Sequence, residues 1–325
     1  MIEINKLNAR IYSKLGQSGA AFGIGLFEVQ KAYPDLAVLS SDMSSTAGLD
    51  RFKSMYPDLF YNVGIAEQNL LGVASGMSSE GKKVIVTAQA AFISMRSCEQ
   101  VRQYMGYMHF NIIAIGIGAG FGLTFFGNTH YAIEDISIMR SVPGMTILSP
   151  SDAGQAIKAL IAAAIINAPV YIRFTGTLNC PIVYYDDYNF EIGKAIQVKE
   201  GSDITVFATG SMVFKSLKAV EIIEKEGLSV RVIDMHTIKP LDYDIIKQSH
   251  GSHLYVSIEE HSIIGGLGTA ISEYLAKKGG YPPLLCLGIR DTFSHPGDYD
   301  FLLDEHRLQP DKIAEDILNR YKSIQ

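Results

Sequence analysis

Residues 146–174 read TILSPSDAGQAIKALIAAAIINAPVYIRF, and this stretch decides the fold. Residues 146–148 form a short apolar strand that stops at Pro150. Ser151 and Asp152 follow, and their short polar side chains can cap backbone N–H groups, which predicts a helix over 153–166. The apolar run 170–174 is a second strand. A strand, a helix and a second strand in this order predict parallel pairing within one sheet, with the helix as the crossover.

The same alternation extends in both directions. Upstream, strands are expected at 36–40, 83–87 and 111–117, and helices at 8–31, 66–78 and 94–108, with a turn of helix at 133–141. Residues 43–60 look loop-like, and 116–128 form a long glycine-rich loop short of charge. Beyond 174 the texture changes. Residues 178–202 are polar and include Tyr184-Tyr185-Asp186-Asp187-Tyr188. A second alternating unit then places strands at 204–209, 229–234, 254–258 and 284–288, with helices at 214–226, 243–249 and 266–277. The expected fold class is α/β, with two open, mostly parallel sheets flanked by helices. The expected division is a first domain at 1–180, a linker at 181–202 and a second domain at 203–325. A length of 325 residues suits two domains of ordinary size.

Composition narrows the function. The net charge of −6 and the lack of a Lys/Arg block argue against a nucleic-acid surface. Cys98, Cys180 and Cys286 lie far apart, with neither metal spacing nor a disulfide framework, so a cytoplasmic setting is expected. No apolar signal core stands in residues 1–20. No run reaches the roughly 18 apolar residues of a membrane span, and the nearest, 110–126, is broken by glycines.

Several polar residues stand where chemistry could occur. Glu67 opens a helix that is otherwise apolar, next to Ile65, Ala66, Leu70 and Leu71. Burial favours the protonated carboxyl unless partners offset it, and such a group can donate to a ring nitrogen. The other reading is a first-turn glutamate favoured by the helix N-terminus. His130 ends the glycine-rich loop, where it could face a cleft or simply be solvated. Arg140 and Arg173 each adjoin apolar stretches. Either could bind an anion or pair with a local carboxylate such as Asp135. Gly265, Gly266 and Gly268 follow Glu259-Glu260-His261, but their place and spacing are wrong for a dinucleotide fingerprint, so they read as a packing turn. His236 and His261, at strand ends, read as structural.

These segments together resemble the transketolase family. The likeness lies in Asn62-Val63-Gly64-Ile65-Ala66-Glu67-Gln68-Asn69, in Ala91-Phe92 with Arg96 and Glu99-Gln100-Val101-Arg102, and in Thr129-His130-Tyr131-Ala132-Ile133-Glu134-Asp135-Ile136 running on to Pro143. Segments 234–242 and 259–266 resemble its C-terminal domain. The resemblance implies thiamine diphosphate as cofactor and transfer of a two-carbon ketol unit from a ketose to an aldehyde, as in carbohydrate metabolism. It implies that Glu67 hydrogen-bonds the pyrimidine ring, that Phe92 stacks on it, that Asp42 and Arg96 lie near the cofactor, and that His130 touches substrate oxygens. The family's diphosphate and metal are held by a Gly-Asp-Gly motif, which this sequence lacks; its one Gly-Asp, Gly297-Asp298, continues with Tyr299. The expectation is therefore a C-terminal, pyrimidine-binding subunit. Its partner would be an N-terminal subunit carrying Gly-Asp-Gly and Mg2+ or Ca2+, in an α2β2 heterotetramer in which this chain self-associates. No metal ligand is assigned to this chain. Two other readings stay open: the beta subunit of a 2-oxo-acid dehydrogenase or a deoxyxylulose-phosphate synthase-like enzyme, and a non-catalytic assembly subunit.

Departures from the family pattern bear on the substrate. The family's sugar-phosphate clamp falls on Gly19, on Gly118 or Gly120, and on Gly176. The segment 124–128 runs two residues short and puts Phe126 opposite an aspartate that reads a sugar hydroxyl, while Gln89 stands where many members carry phenylalanine. Phosphate recognition calls for arginines or converging donors. The expected substrate is thus not a bare sugar phosphate, though Arg140 and Arg173 could still supply an anion contact.

Overall fold

A computed structural model describes residues 2–176 and 178–325. The first unit contains six strands: β1 (Ala37–Ser40), β2 (Phe60–Asn62), β3 (Val84–Gln89), β4 (Ile112–Ala119), β5 (Thr146–Leu148) and β6 (Val170–Thr175). The second contains β7 (Ile196–Lys199), β8 (Ile204–Ala208), β9 (Val230–Asp234), β10 (Thr237–Lys239), β11 (Leu254–Ser262) and β12 (Leu284–Ile289). One sheet has the order β10-β5-β6-β4-β3-β1-β2 and the other β12-β11-β8-β9-β7. Pairing is parallel except for β10 with β5 and β7 with β9. The expected α/β class with two mostly parallel sheets is what the chain adopts.

The central strand β4 is buried along its whole length, as a strand covered by helices on both faces must be. The helix Ala153–Ile165 starts where expected, with the Asp152 carboxylate accepting from the Gln155 N–H at 2.8 Å. The expected helices at 8–31 and 94–108 are less regular than their periodicity suggests. The first passes through a π-helical turn, Ala21–Gly25. The second is mostly π-helical, at Phe92–Arg96 and Val101–Tyr107, a geometry frequent at functional sites.

Three strands differ from the sequence reading. Residues 43–60 hold short helices and lead into β2, which pairs with β1. The stretch 181–202 contains β7 and is tied down: the Asp152 carboxylate accepts from the Val183 and Tyr184 N–H groups, and Tyr184 Oη donates to Asp234. The third is β10, which leaves the second unit and completes the first sheet, with Thr237 opposite Leu148 and Lys239 opposite Ile147. Lys239 Nζ then donates to the Arg140 and Val142 carbonyls at 2.9 and 2.7 Å. Each of these three strands is short and mixes polar with apolar residues, FYN, IQVK and TIK, and so leaves neither an apolar run nor a periodic signature. One apolar core runs across both units, from Leu39, Leu70 and Ile147 to Phe207, Ile233 and Leu267. Among the described residues no helix is long and apolar enough to cross a membrane.

Candidate functional site

The order of the first sheet reverses at β1, because the chain goes outward to β2 and then back past β1 to β3. Such a switch point opens a crevice at the C-terminal ends of the strands. Asp42 follows β1 and Ala90–Phe92 follow β3, on either side of that crevice. Asp42 sits in the left-handed region, φ 59°, and Asn62 braces it: the Asn62 amide donates to the Asp42 carboxylate at 2.9 Å and accepts from the Asp42 N–H at 3.0 Å.

Glu67 is the first residue of the helix Glu67–Ser79 and is only 3% exposed. Its Oε2 accepts from Arg96 Nη1 at 2.8 Å. No described group donates to Oε1. The Arg96 guanidinium also lies 3.9 Å from the centroid of the Phe92 ring, a cation–π arrangement. The Gln68 side chain holds the Arg96 carbonyl at 3.1 Å. His130 meets Phe92 edge-on at 5.0 Å and stacks on Phe126 at 4.6 Å. Its Nδ1 lies 2.9 Å from Thr129 Oγ1. Burial, and then the Arg96 cation, hold the imidazole below its ordinary pKa. Glu67, Arg96, Phe92, His130 and Phe126 thus form one continuous cluster, with Asp42 on the same sheet edge.

Arg173 and Arg140 do not join it. Arg173 is fully buried; its Nε donates to Asp135 at 2.8 Å and its Nη2 to the Glu260 carbonyl at 3.2 Å. A buried guanidinium needs an anionic partner, and Asp135, which also accepts from Tyr171 Oη, is that partner. Of the two roles left open for Arg173, pairing with Asp135 is the one adopted. The Arg140 guanidinium is spent on the Gly265 and Gly266 carbonyls, at 2.6 and 3.3 Å, and on Glu273 at 2.9 Å.

The sequence reading missed Glu260. Its buried carboxylate accepts from the Phe121 N–H at 2.7 Å, from Tyr299 Oη at 2.6 Å and from Ser211 Oγ. Gly120 has φ +64°, and a Cβ there would lie 2.4 Å from Glu260. Glu260 therefore pins the root of the loop that carries His130. Nothing in the local sequence couples residues 139 positions apart. The Gly265–Gly268 turn is a packing turn, as expected: Leu267 and Gly268 N–H groups donate to Glu259, and a Cβ on Gly266 would collide with that carboxylate. His236 and His261 are buried, and burial lowers each to about 4.

A cleft of about 530 Å³ opens on the same edge of the sheet, between Lys14, Leu15 and Gly19, the turn at Gly48, the end of β4 at Gly118, and Gly176 beyond β6.

Two families match the chain: transketolase, pyrimidine binding domain, over residues 17–180, and transketolase, C-terminal domain, over 193–313. A putative transketolase C-terminal section of Methanocaldococcus jannaschii is 36% identical over 303 residues, covering 93% of this chain and 95% of that protein. A 6-deoxy-6-sulfo-D-fructose transketolase subunit of Clostridium sp. strain MSTE9 is 35% identical over 292 residues, covering 89% of each. A solved structure described as a split gene transketolase, inactive beta4 tetramer, superposes with a TM-score of 0.85 at 34% identity, covering 95% of this chain and all of that one.

Proposed function

Because the chain belongs to the transketolase family, we propose that it is the pyrimidine-binding subunit of a two-chain enzyme that moves a two-carbon ketol unit from a ketose donor to an aldehyde acceptor. The observation that carries the reading is the buried Glu67 carboxylate, fixed through one oxygen by Arg96 and open at the other, at the switch point of a parallel sheet.

These residues suit thiamine diphosphate. Its pyrimidine ring needs a flat apolar neighbour and an acid aimed at a ring nitrogen, and Phe92 and Glu67 provide the two. When bound, the cofactor supplies the carbon nucleophile that breaks and remakes the carbon–carbon bond. Glu67 would present Oε1 to the pyrimidine ring nitrogen and exchange a proton with it. Arg96 holds Glu67 in place and covers one face of Phe92. His130, with its pKa lowered, presents a neutral imidazole that can donate to or accept from a sugar hydroxyl through Nε2, since Nδ1 faces Thr129. Phe126 backs that imidazole, and Asp42 shapes the crevice edge. Arg140 and Arg173 have no part in this reading.

The diphosphate and its divalent ion, Mg2+ or Ca2+, fall to an N-terminal partner subunit with a Gly-Asp-Gly motif. The assembly is an α2β2 heterotetramer in which this chain self-associates, and its setting is cytoplasmic. The division into 1–180 and 203–325 joined through 181–202 belongs to the same reading; two separate family matches support two units, with the second starting at residue 193, inside the expected linker. The test is reconstitution. Mixed with the Gly-Asp-Gly partner, thiamine diphosphate and Mg2+, the chain transfers the ketol unit of hydroxypyruvate to an aldehyde, and neither subunit does so alone. A mixture without transfer overturns the proposal.

A further inference from the structure

We propose that the cleft beside Gly19 receives the end of the sugar remote from its reacting carbonyl, and that this end carries an uncharged substituent in place of a terminal phosphate. The inference rests on the ketol-transfer reading and names the substrate class of that site.

Position is the first argument. The cleft is walled by segments that leave the C-terminal ends of β1, β4 and β6, the same sheet edge that carries Asp42, Phe92 and His130. Leu123, on its wall, adjoins the 3-10 turn Thr124–Thr129 that bears Phe126 and leads into His130. A sugar whose first oxygens reach His130 extends into this cleft. Its volume of about 530 Å³ exceeds what a phosphate alone fills and falls in the range of small-molecule sites.

Lining chemistry is the second. Leu15, Ile117, Leu123 and Phe174 make the walls apolar. Most of the polar side chains are already engaged, the Thr46 hydroxyl excepted. The Gln17 amide bridges the Pro150 carbonyl and the Thr175 N–H, both at 2.8 Å. Ser18 donates to the Ala47 carbonyl at 2.7 Å, and Thr175 Oγ1 accepts from the Ser211 N–H at 3.1 Å. Lys14 is the single cation of the described lining, and it is solvent-exposed. A dianionic phosphate calls for several converging donors or a bidentate arginine, and the described side chains of this wall offer only Lys14 and Thr46.

The third argument is Gly19 itself. It lies inside the helix Lys6–Ala20, where glycine is destabilising relative to alanine. Its backbone does not need glycine: φ is not positive, and a Cβ would meet only Leu15 Cβ, at 3.3 Å. Gly176 differs: a Cβ there would meet nothing within 4 Å, but its φ of +77° itself favours glycine. At Gly19 the fold leaves room for a side chain once Leu15 gives slightly, and that room goes to the cleft. A deoxy or acylated sugar end suits this space.

The experiment uses the reconstituted two-subunit enzyme with hydroxypyruvate, which loses its carboxylate as CO2 and has no remote end of its own. The acceptors are glycolaldehyde, 5-deoxy-D-ribose and D-ribose 5-phosphate. Neither pentose can close to a pyranose, so the comparison isolates the remote group. The expected kcat/KM for 5-deoxyribose is at least fivefold that for ribose 5-phosphate, and Gly19→Arg narrows or reverses the ratio. A smaller wild-type ratio, or preference for the phosphate, together with transfer to glycolaldehyde, overturns this inference alone. No transfer to glycolaldehyde overturns the functional reading and this inference with it.

Discussion

Arg96 donates to the buried Glu67 carboxylate at 2.8 Å while its guanidinium lies over the Phe92 ring, so one cation fixes both the acid and the aromatic face beside it. Glu67→Gln keeps the shape of the side chain and removes its ability to take up and return a proton. In the reconstituted enzyme kcat is expected to fall roughly 10²–10⁴-fold, the usual contribution of a positioned proton-transfer group, with a much smaller change in KM. Steady-state kinetics decide it. A loss under threefold would mean that Glu67 is only a first-turn residue.

Arg96 also acts on His130. Burial and then the Arg96 charge lower the imidazole pKa, so the neutral ring persists to lower pH than an ordinary histidine allows. Arg96→Ala removes the cation, and the acid limb of the kcat/KM profile is expected to move to higher pH. His130→Asn is expected to abolish that limb. A profile unchanged in both variants would detach His130 from the reaction.

The Arg173–Asp135 pair is fully buried, and removing one partner leaves an unpaired charge. Arg173→Met is expected to cost about 3–5 kcal/mol in denaturant unfolding. The double variant Arg173→Met with Asp135→Asn recovers part of that loss. A stable Arg173→Met with a raised substrate KM would return Arg173 to the substrate.

Asp234 is buried among Ser151, Gln155 and Tyr184, and burial pushes its pKa up to about 7. A carboxyl raised on folding stabilises the protein fully below its unfolded pKa, near 3.8. That contribution is lost as pH rises through about 7. The wild-type Tm is therefore expected to fall from about pH 4 to about pH 7 and to level off above that. Asp234→Asn removes on the order of 2–4 kcal/mol of this pH dependence. Glu259, also raised to about 7, leaves a residual slope. Calorimetry at several pH values checks the difference in slope.

The long parallel strands were legible because burial on both faces writes continuous apolar runs, as in 112–119. Burial of Glu67 was legible from the apolar residues around it. The fate of Arg173 was not, since pairing with Asp135 and binding a ligand call for the same residue and only its depth separates them. The three short strands β2, β7 and β10 were invisible because each mixes polar and apolar residues, whereas the equally short β5 and β1 are largely apolar runs. Glu260 was invisible because its partners Phe121, Ser211 and Tyr299 come together only in the folded chain.

Strand β10 has a practical consequence for anyone cutting or recombining this chain. It closes the outer edge of the first sheet with residues that follow β9 by only a few positions. A fragment ending near residue 200 would bare the hydrogen-bonding edge of β5, a template for aggregation. A chimera that takes its C-terminal half from a relative must bring a strand that still fits Ile147 and Leu148. The two halves are stitched, and neither is a free-standing module.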